Sequence, residues 1–349
     1  MSAPLRVLQS FPAPRATTNP YLVMLARCLE AEPGVRLSTF SWRTALLGRH
    51  DVVHLHWPEI LTAGSTPART ALRRLLLVGL LVRWTVQGTP VVRTWHNLRP
   101  QEDGDRLRGL LLRWVDRLTV LGIRLNDETP APAGTRAVTI PHGHYRDWFA
   151  GHRRATAVPG RLAFVGLIRG YKNVGGLVRA FAGTAATHPD AALAVAGKPA
   201  TVELADALRL AAADDPRVGL RLEYLDDADL VATVTGACLV VLPYTEMHNS
   251  GAALMALSLD RPVLVPDNAV NARLADEVGG QWVRRYAGDL TPATLTAALE
   301  SPAPPAGLDR PDLHRRDWDR AGAQHVQAYR TALAVRRGRR DRRRRPADD

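Results

Sequence analysis

The feature that most constrains this chain is an alternation that runs from one end to the other. Short runs rich in Val, Ile and Leu are separated by stretches with helical spacing. Parallel strands need a crossover of a dozen or more residues between them, and when buried on both faces they read as continuous apolar runs. The alternation therefore predicts an α/β protein with parallel sheets. In the first half, strands are expected at Arg6–Ser10, Asp51–His56, Val91–Trp95, Leu118–Leu121 and Ala137–Ile140. Helices are expected at Pro20–Glu30, Arg69–Trp84 and Arg106–Asp116. After the polar, Gly- and Pro-containing stretch GHRRATAVPG at 151–160, a second series begins. Its strands are Arg161–Val165, Ala192–Ala196, Arg217–Glu223, Leu239–Pro243 and Pro262–Pro266. Its helices are Val174–Ala186, Val202–Ala213, Asp227–Thr235, Ser250–Leu259 and Asn271–Val278.

A length of 349 residues suits two such series, at about one domain per 150 residues. The expected architecture is two doubly wound, Rossmann-like domains facing a cleft, at 1–150 and 151–310. A helix at 311–335 and a disordered basic tail at 336–349 follow. In such sheets ligands bind outside the C-terminal ends of the strands.

The formal net charge is +12, but residues 336–345, RRGRRDRRRR, hold eight arginines and one aspartate, which is +7 of it. A block of like charge is a solvated tail, so the body is only mildly basic and no specific nucleic acid is expected as a partner. Two cysteines, Cys28 and Cys238, exclude a disulfide framework and suit a reducing cytoplasm. The N-terminal run MSAPLRVLQSF reads as a first strand rather than a leader. The longest apolar run, the eight residues from Leu75 to Val82, is far short of the roughly 20 that cross a bilayer. Arg69, Arg73, Arg74 and Arg83 surround it, which leaves two readings: a buried helix, or a helix lying on anionic lipid. The expected location is cytoplasmic, with a peripheral position at the inner face of the membrane.

Two loops carry anion-binding chemistry. In RLAFVGLIRGYKNVGGLVRAF, at 161–181, a strand runs into Gly166. A short basic loop with Arg169 and Lys172 follows, then a helix. The glycine turn admits a ligand to the backbone, and the two cations suit a diphosphate. Lys172 and Lys198 are the only lysines among 46 basic residues, which makes their positions informative. In LVVLPYTEMHNSGAALMALSLDRPVLVP, at 239–266, Asn249, Ser250 and Gly251 open an apolar helix whose N–H groups suit a phosphate. Either polar residue also serves as an ordinary N-cap.

Residues 161–290 resemble the donor-binding half of the two-domain GT-B glycosyltransferases, especially the group-1 class. VGLIRGYKN matches the loop that holds the donor diphosphate in that class, and SGAALMALSLDRPVLVP matches the later helix start. The resemblance assigns Gly166, Arg169, Lys172, Asn249, Ser250 and Gly251 to the donor diphosphate. AVAGKP at 194–199 and IPHGHYRDWF at 140–149 resemble two further landmarks. The class often carries two glutamates across the second loop and helix, but Met247 and Met255 stand at those positions, with Glu246 adjacent to the first.

Histidines collect at strand ends in the first half. His54 and His56 lie two apart in VVHLHWPE, hence on one strand face. His96 lies in RTWHNLRPQE, and His142 and His144 in IPHGHY. No third residue gives the histidine pair a defining metal spacing, so structural or substrate-orienting roles are expected, with neither metal nor organic cofactor implied. Glu59, His96 and Glu102 are the candidate bases. His96 is the first choice, because it resembles the active-site histidine of many group-1 enzymes. Glu59 is the alternative for an inverting displacement. Glu246, Lys198, His54, His56, Trp57 and His144 are candidate contacts to donor or acceptor.

The resemblance implies transfer of a hexosyl group from a nucleotide-diphosphate sugar to a saccharide or lipid-linked acceptor. GDP-mannose is mildly preferred, because relatives containing HWPE and WHNxxPQE resemble mannosyltransferases. Two other readings stand beside it: a nucleotide-sugar epimerase of the same fold, and a nucleic-acid- or membrane-binding protein acting through its arginine-rich tail.

Overall fold

A computed structural model describes residues 3–15, 17–96, 105–301 and 310–344, with side chains up to 338. The chain divides into two units, Met1–Gly143 with Arg315–Asp349, and His144–His314.

The first unit opens with β1 (Leu5–Gln9), α1 (Pro20–Ala31), β2 (Val35–Ser38), α2 (Trp42–Leu47) and β3 (Val52–Leu55). It continues with α3 (Pro67–Gln87), β4 (Val91–Trp95), α4 (Arg106–Leu118), β5 (Thr119–Arg124) and β6 (Arg136–Thr139). The strands form one parallel sheet in the order β2-β1-β3-β4-β5-β6. Every residue of β3 is buried, as a central parallel strand requires. The helices start where capping chemistry directs. Thr66 accepts from the Arg69 N–H with Pro67 in the first turn, and Asp105 accepts from the Arg108 N–H. Gly88, in the left-handed region, ends α3.

The second unit contains α5 (Arg146–Phe149), β7 (Arg161–Val165), α6 (Val174–Ala182), β8 (Ala192–Ala196), α7 (Val202–Ala212), β9 (Val218–Arg221) and α8 (Asp227–Gly236). After these come β10 (Leu239–Val241), α9 (Gly251–Ser258), β11 (Val263–Pro266), α10 (Ala269–Val278), β12 (Val283–Tyr286) and α11 (Pro292–Glu300). The second sheet is also parallel, in the order β12-β11-β10-β7-β8-β9. The two parallel six-stranded sheets with crossover helices are the α/β fold expected from the alternation.

Three details differ from the sequence reading. The stretch 151–160 does not link two bodies, because the second unit already begins at His144. It is bonded onto that unit instead. Val158 N–H donates to Gly236 O (3.0 Å), and Ala155 N–H donates to Thr235 Oγ1 (2.8 Å). The final helix, α12 (Trp318–Arg344), belongs to the first unit, packing on α1 and β5. It also runs on through the arginine block expected to be coil, since arginine is a good helix former and the single Gly338 does not break it. Among the described residues, no helix is long and apolar enough to cross a membrane.

Candidate active site

In the second unit the site is built on two glycines. β7 ends at Gly166, with φ +112°, and β8 ends at Gly197. A Cβ on Gly197 would lie 1.9 Å from the Gly166 carbonyl oxygen. Only glycine permits this approach. Two further bonds continue the ladder beyond the strands: Ile168 N–H to Lys198 O (2.9 Å) and Ala200 N–H to Ile168 O (2.8 Å). The Lys198 backbone thus braces the loop, and its side chain is exposed.

The chain then makes a 3₁₀ turn at Gly170–Lys172 and passes through Asn173 in the left-handed region (φ 49°) into α6. That turn carries Lys172 back under the strand end. Its Nζ lies 3.6 Å from where a Gly166 Cβ would be. The ammonium sits 5.0 Å from the Tyr244 ring centroid and 6.0 Å from that of Phe164, within cation–π range of both. Burial and the neighbouring Arg169 charge push the Lys172 amine down to about 8. Lys172 and Arg169 make no ion pair among the described residues.

The second loop is stitched to the first. Thr245 donates to the Tyr171 carbonyl through both its N–H (2.8 Å) and its Oγ1 (3.1 Å), and Tyr171 meets Tyr244 edge-on at 5.9 Å. The structure therefore brings Lys172 and the β10–α9 loop together. Beyond that loop, Ser250 caps α9 by accepting from the Ala253 N–H (3.2 Å). The Gly251 N–H, in the first turn, has no intrahelical acceptor. A Cβ on Gly251 would stand 3.3 Å from Tyr145 Oη. Asn249 is half-buried just ahead of the cap, and Glu246 is exposed beside Thr245. Met247 and Met255 are buried. The Met247 carbonyl accepts from Asn268 Nδ2 (2.9 Å), and Asn271 Nδ2 lies 3.5 Å from its sulfur. These two positions of the glutamate pattern are filled by core thioethers. His144 is buried, and its Nδ1 accepts from the Arg146 N–H (3.3 Å) at the start of α5.

The first unit places a different chemistry at its strand ends. The Gln9 amide bonds Tyr329 Oη of α12 (3.1 Å) through Nε2, and Tyr329 meets His54 Nδ1 at 2.8 Å. His54 Nε2 reaches Thr94 Oγ1 (2.8 Å). On the other side, Gln9 Oε1 accepts from His56 Nε2–H (3.1 Å), which leaves His56 Nδ1 to accept from His96 Nε2–H (3.1 Å). The lone pair of neutral His96 is then on Nδ1. Burial pushes His56 down to about 3 and His325 and His142 to about 4, and holds His54 and His96 well below the usual histidine range. The cluster is uncharged at neutral pH.

His54 and His56 are enclosed, with both ring nitrogens of each engaged, so the structure removes them from the substrate contacts named by sequence. They hold His96 in place instead. Trp57 stacks on His96 at 3.9 Å and 19°. It enters a second 3₁₀ turn, Pro58–Thr62, in which Thr62 Oγ1 donates to the Glu59 carbonyl (2.6 Å). Glu59 is half-buried, and its Oε2 is enclosed without a hydrogen-bond partner. Glu102 lies outside the described residues. Sequence reasoning missed Gln9, Tyr329 and Tyr244. Gln9 and Tyr329 are 320 residues apart, and no local pattern joins them.

No protein-family model matches the chain. It is 44% identical over 331 residues to the GDP-mannose:glycolipid 4-beta-D-mannosyltransferase of Xanthomonas campestris pv. campestris, covering 94% of this chain and 93% of that one. The fold is shared with an α,α-trehalose-phosphate synthase (UDP-forming) from Burkholderia vietnamiensis. That match has a TM-score of 0.61 and 12% identity, and covers 96% of this chain and all of that one. It is shared also with AviGT4, a glycosyltransferase involved in avilamycin A biosynthesis, at a TM-score of 0.55 and 16% identity over 95% and 98% of the two chains. The chain has the GT-B fold and belongs to the family of that GDP-mannose:glycolipid 4-beta-D-mannosyltransferase.

Proposed function

We propose that this enzyme transfers a mannosyl group from GDP-mannose to the 4-hydroxyl of a lipid-linked saccharide, forming a β linkage, and works peripherally at the cytoplasmic face of a membrane. The observation that carries the donor half is Lys172. A desolvated ammonium without a carboxylate partner, over aromatic faces and behind a glycine turn, is arranged to receive an anion. Arg169, Asn249, Ser250, the Gly166 turn and the Gly251 N–H complete the set proposed for the diphosphate. Together they neutralise the charge that develops on GDP as the sugar leaves.

The sugar–phosphate bond of GDP-mannose is α, so a β product follows from one displacement with inversion. The acceptor oxygen attacks C1, the C1–phosphate oxygen bond breaks, and the acceptor proton must go to a base. Glu59 is the base of this proposal, and His96, with its lone pair on Nδ1, orients the acceptor hydroxyl. Trp57 supplies a ring face for a sugar. Glu246, Lys198 and His144 are retained as outer contacts only. No specific nucleic acid enters the reaction, and deleting 339–349 should leave transfer intact.

Thermal stabilisation tests the donor assignment, because a ligand of the native state raises its melting point. GDP-mannose should stabilise the enzyme more than UDP- or dTDP-sugars, and Lys172→Ala should remove most of the shift. A mutant stabilised as strongly as the parent overturns the anion site. Donor turnover should also require the lipid acceptor, whereas donor isomerised without one would identify an epimerase.

A further inference from the structure

The outer faces of α3 and α4, in the first unit, are apolar where a water-facing helix is ordinarily polar. Leu77, Leu80, Leu81 and Trp84 bury one side of α3, yet Leu72, Leu75, Val82 and Val86 on other sides are exposed, Leu75 to 68% and Val86 to 78%. On α4, Leu107 and Leu110 are exposed, Leu110 to 55%. Between the two helices run adjoining hollows of about 530 and 500 Å³ that share Val78, Leu107 and Leu111, making one continuous apolar groove. A patch of this kind on a folded protein marks an interaction surface.

The charge around the groove has one sign. α3 and α4 together carry eight arginines and a single acid, Asp116. Some of these arginines serve the fold. Arg74 pairs with Asp105 (2.6 Å), and Arg83 bonds the carbonyls of Ala45, Leu46 and Gly48. Arg106, Arg113 and Arg117 are exposed and make no ion pair among the described residues. The groove also has a direction. Its end at Pro67, Thr70 and Asp105 adjoins the turn that carries Glu59, since Arg74 Nε donates to the Thr62 carbonyl (3.1 Å).

We propose that the α3–α4 face seats the enzyme on an anionic lipid bilayer. Leu72, Leu75, Leu107 and Leu110 enter the headgroup boundary while the arginines meet lipid phosphates. This partner rests on the reading that the acceptor is lipid-linked, and it places the Glu59 turn where such an acceptor emerges. Leucines flanked by unpaired arginines match an anionic interface, which demands both apolar burial and positive charge. The arginine block at the end of α12 adds attraction but offers no apolar surface.

Flotation of the full chain with phosphatidylcholine vesicles, with and without phosphatidylglycerol, tests the proposal. The parent should bind the anionic vesicles and not the neutral ones. The exposed triple variant Leu75→Glu/Leu107→Glu/Leu110→Glu should lower partitioning about tenfold or more even at low salt. Arg106→Ser/Arg113→Ser/Arg117→Ser should lose binding first at physiological salt. A parent that does not float, a leucine variant that floats like the parent, or a deletion of 339–349 that alone abolishes binding would each overturn the docking face. Melting temperature and donor-induced stabilisation verify that the leucine variant is folded, and its transfer to a detergent-dispersed acceptor should equal the parent's. Absence of transfer by the parent to any lipid acceptor refutes the acceptor reading instead, and the flotation result stands apart from it.

Discussion

The two units share an architecture, one parallel six-stranded sheet each, and differ in strand order and in what fills their strand ends. In the first, polar groups are closed on one another: Thr94, His54, Tyr329, Gln9, His56 and His96 form a chain in which donors and acceptors alternate. In the second, two glycines leave room and Lys172 stands in it with aromatic faces for neighbours and no counter-charge. A satisfied buried network rigidifies its surroundings, whereas a desolvated, unpaired cation costs stability until a ligand arrives. One frame thus serves orientation in one unit and binding in the other.

The largest expected effects would break this division if they crossed it. Glu59→Gln should lower kcat about 10³-fold and leave stabilisation by GDP-mannose unchanged. A comparable loss of donor affinity would show that the first unit also binds donor. Acidification should act on the first unit before the second. Folded His56, His325 and His142 resist protons down to about 3 to 4, while their unfolded forms take them up below 6.5. Stability from these groups is therefore full above pH 6.5 and is lost as the pH falls, by up to about 1.4 kcal/mol per pH unit for each. Limited proteolysis near pH 5 should cut within 1–143 first.

Gln9→Leu sharpens the comparison at smaller cost. It strands the His56 Nε2–H and removes one donor from the Tyr329 hydroxyl, which keeps His54, and should destabilise by about 2 kcal/mol. The His96 tautomer is no longer fixed, so the pH profile of kcat should move while donor binding does not. The smallest effect is a gain. The Lys172 amine titrates at about 8 in the fold against 10.5 unfolded, so between those values the unfolded chain holds the extra proton. The ligand-free enzyme should become more stable as pH rises through that window, while donor affinity weakens above about 8. Lys172→Met should abolish both trends and raise the ligand-free melting temperature by about 2 °C. A lower melting temperature would mean that the ammonium is stabilised in place.

Most of the fold was readable in the sequence because parallel strands buried on both faces declare themselves as apolar runs. β8 was located to the residue, and α6, α7 and α8 to their first residues. β2, with sequence VRLS, is half-polar at the sheet edge and gave no such signal. β12 is similar, with two arginines in VRRY. The Lys172 loop stood out because the chain uses arginine nearly everywhere else. The histidines were visible as a cluster, but their roles were not. Whether an imidazole faces substrate or core depends on Gln9 and on Tyr329, which a helix more than 270 residues later delivers to His54.

That late delivery orders events during synthesis. Domains generally form as they emerge from the ribosome, the earlier ones first. Here the earlier unit must wait, since its interior lacks Tyr329 and His325 until the stretch after His314 has been made. By then the whole of 144–314 has been made and is able to fold. Of the two units, the one whose strands are made first is the one completed last.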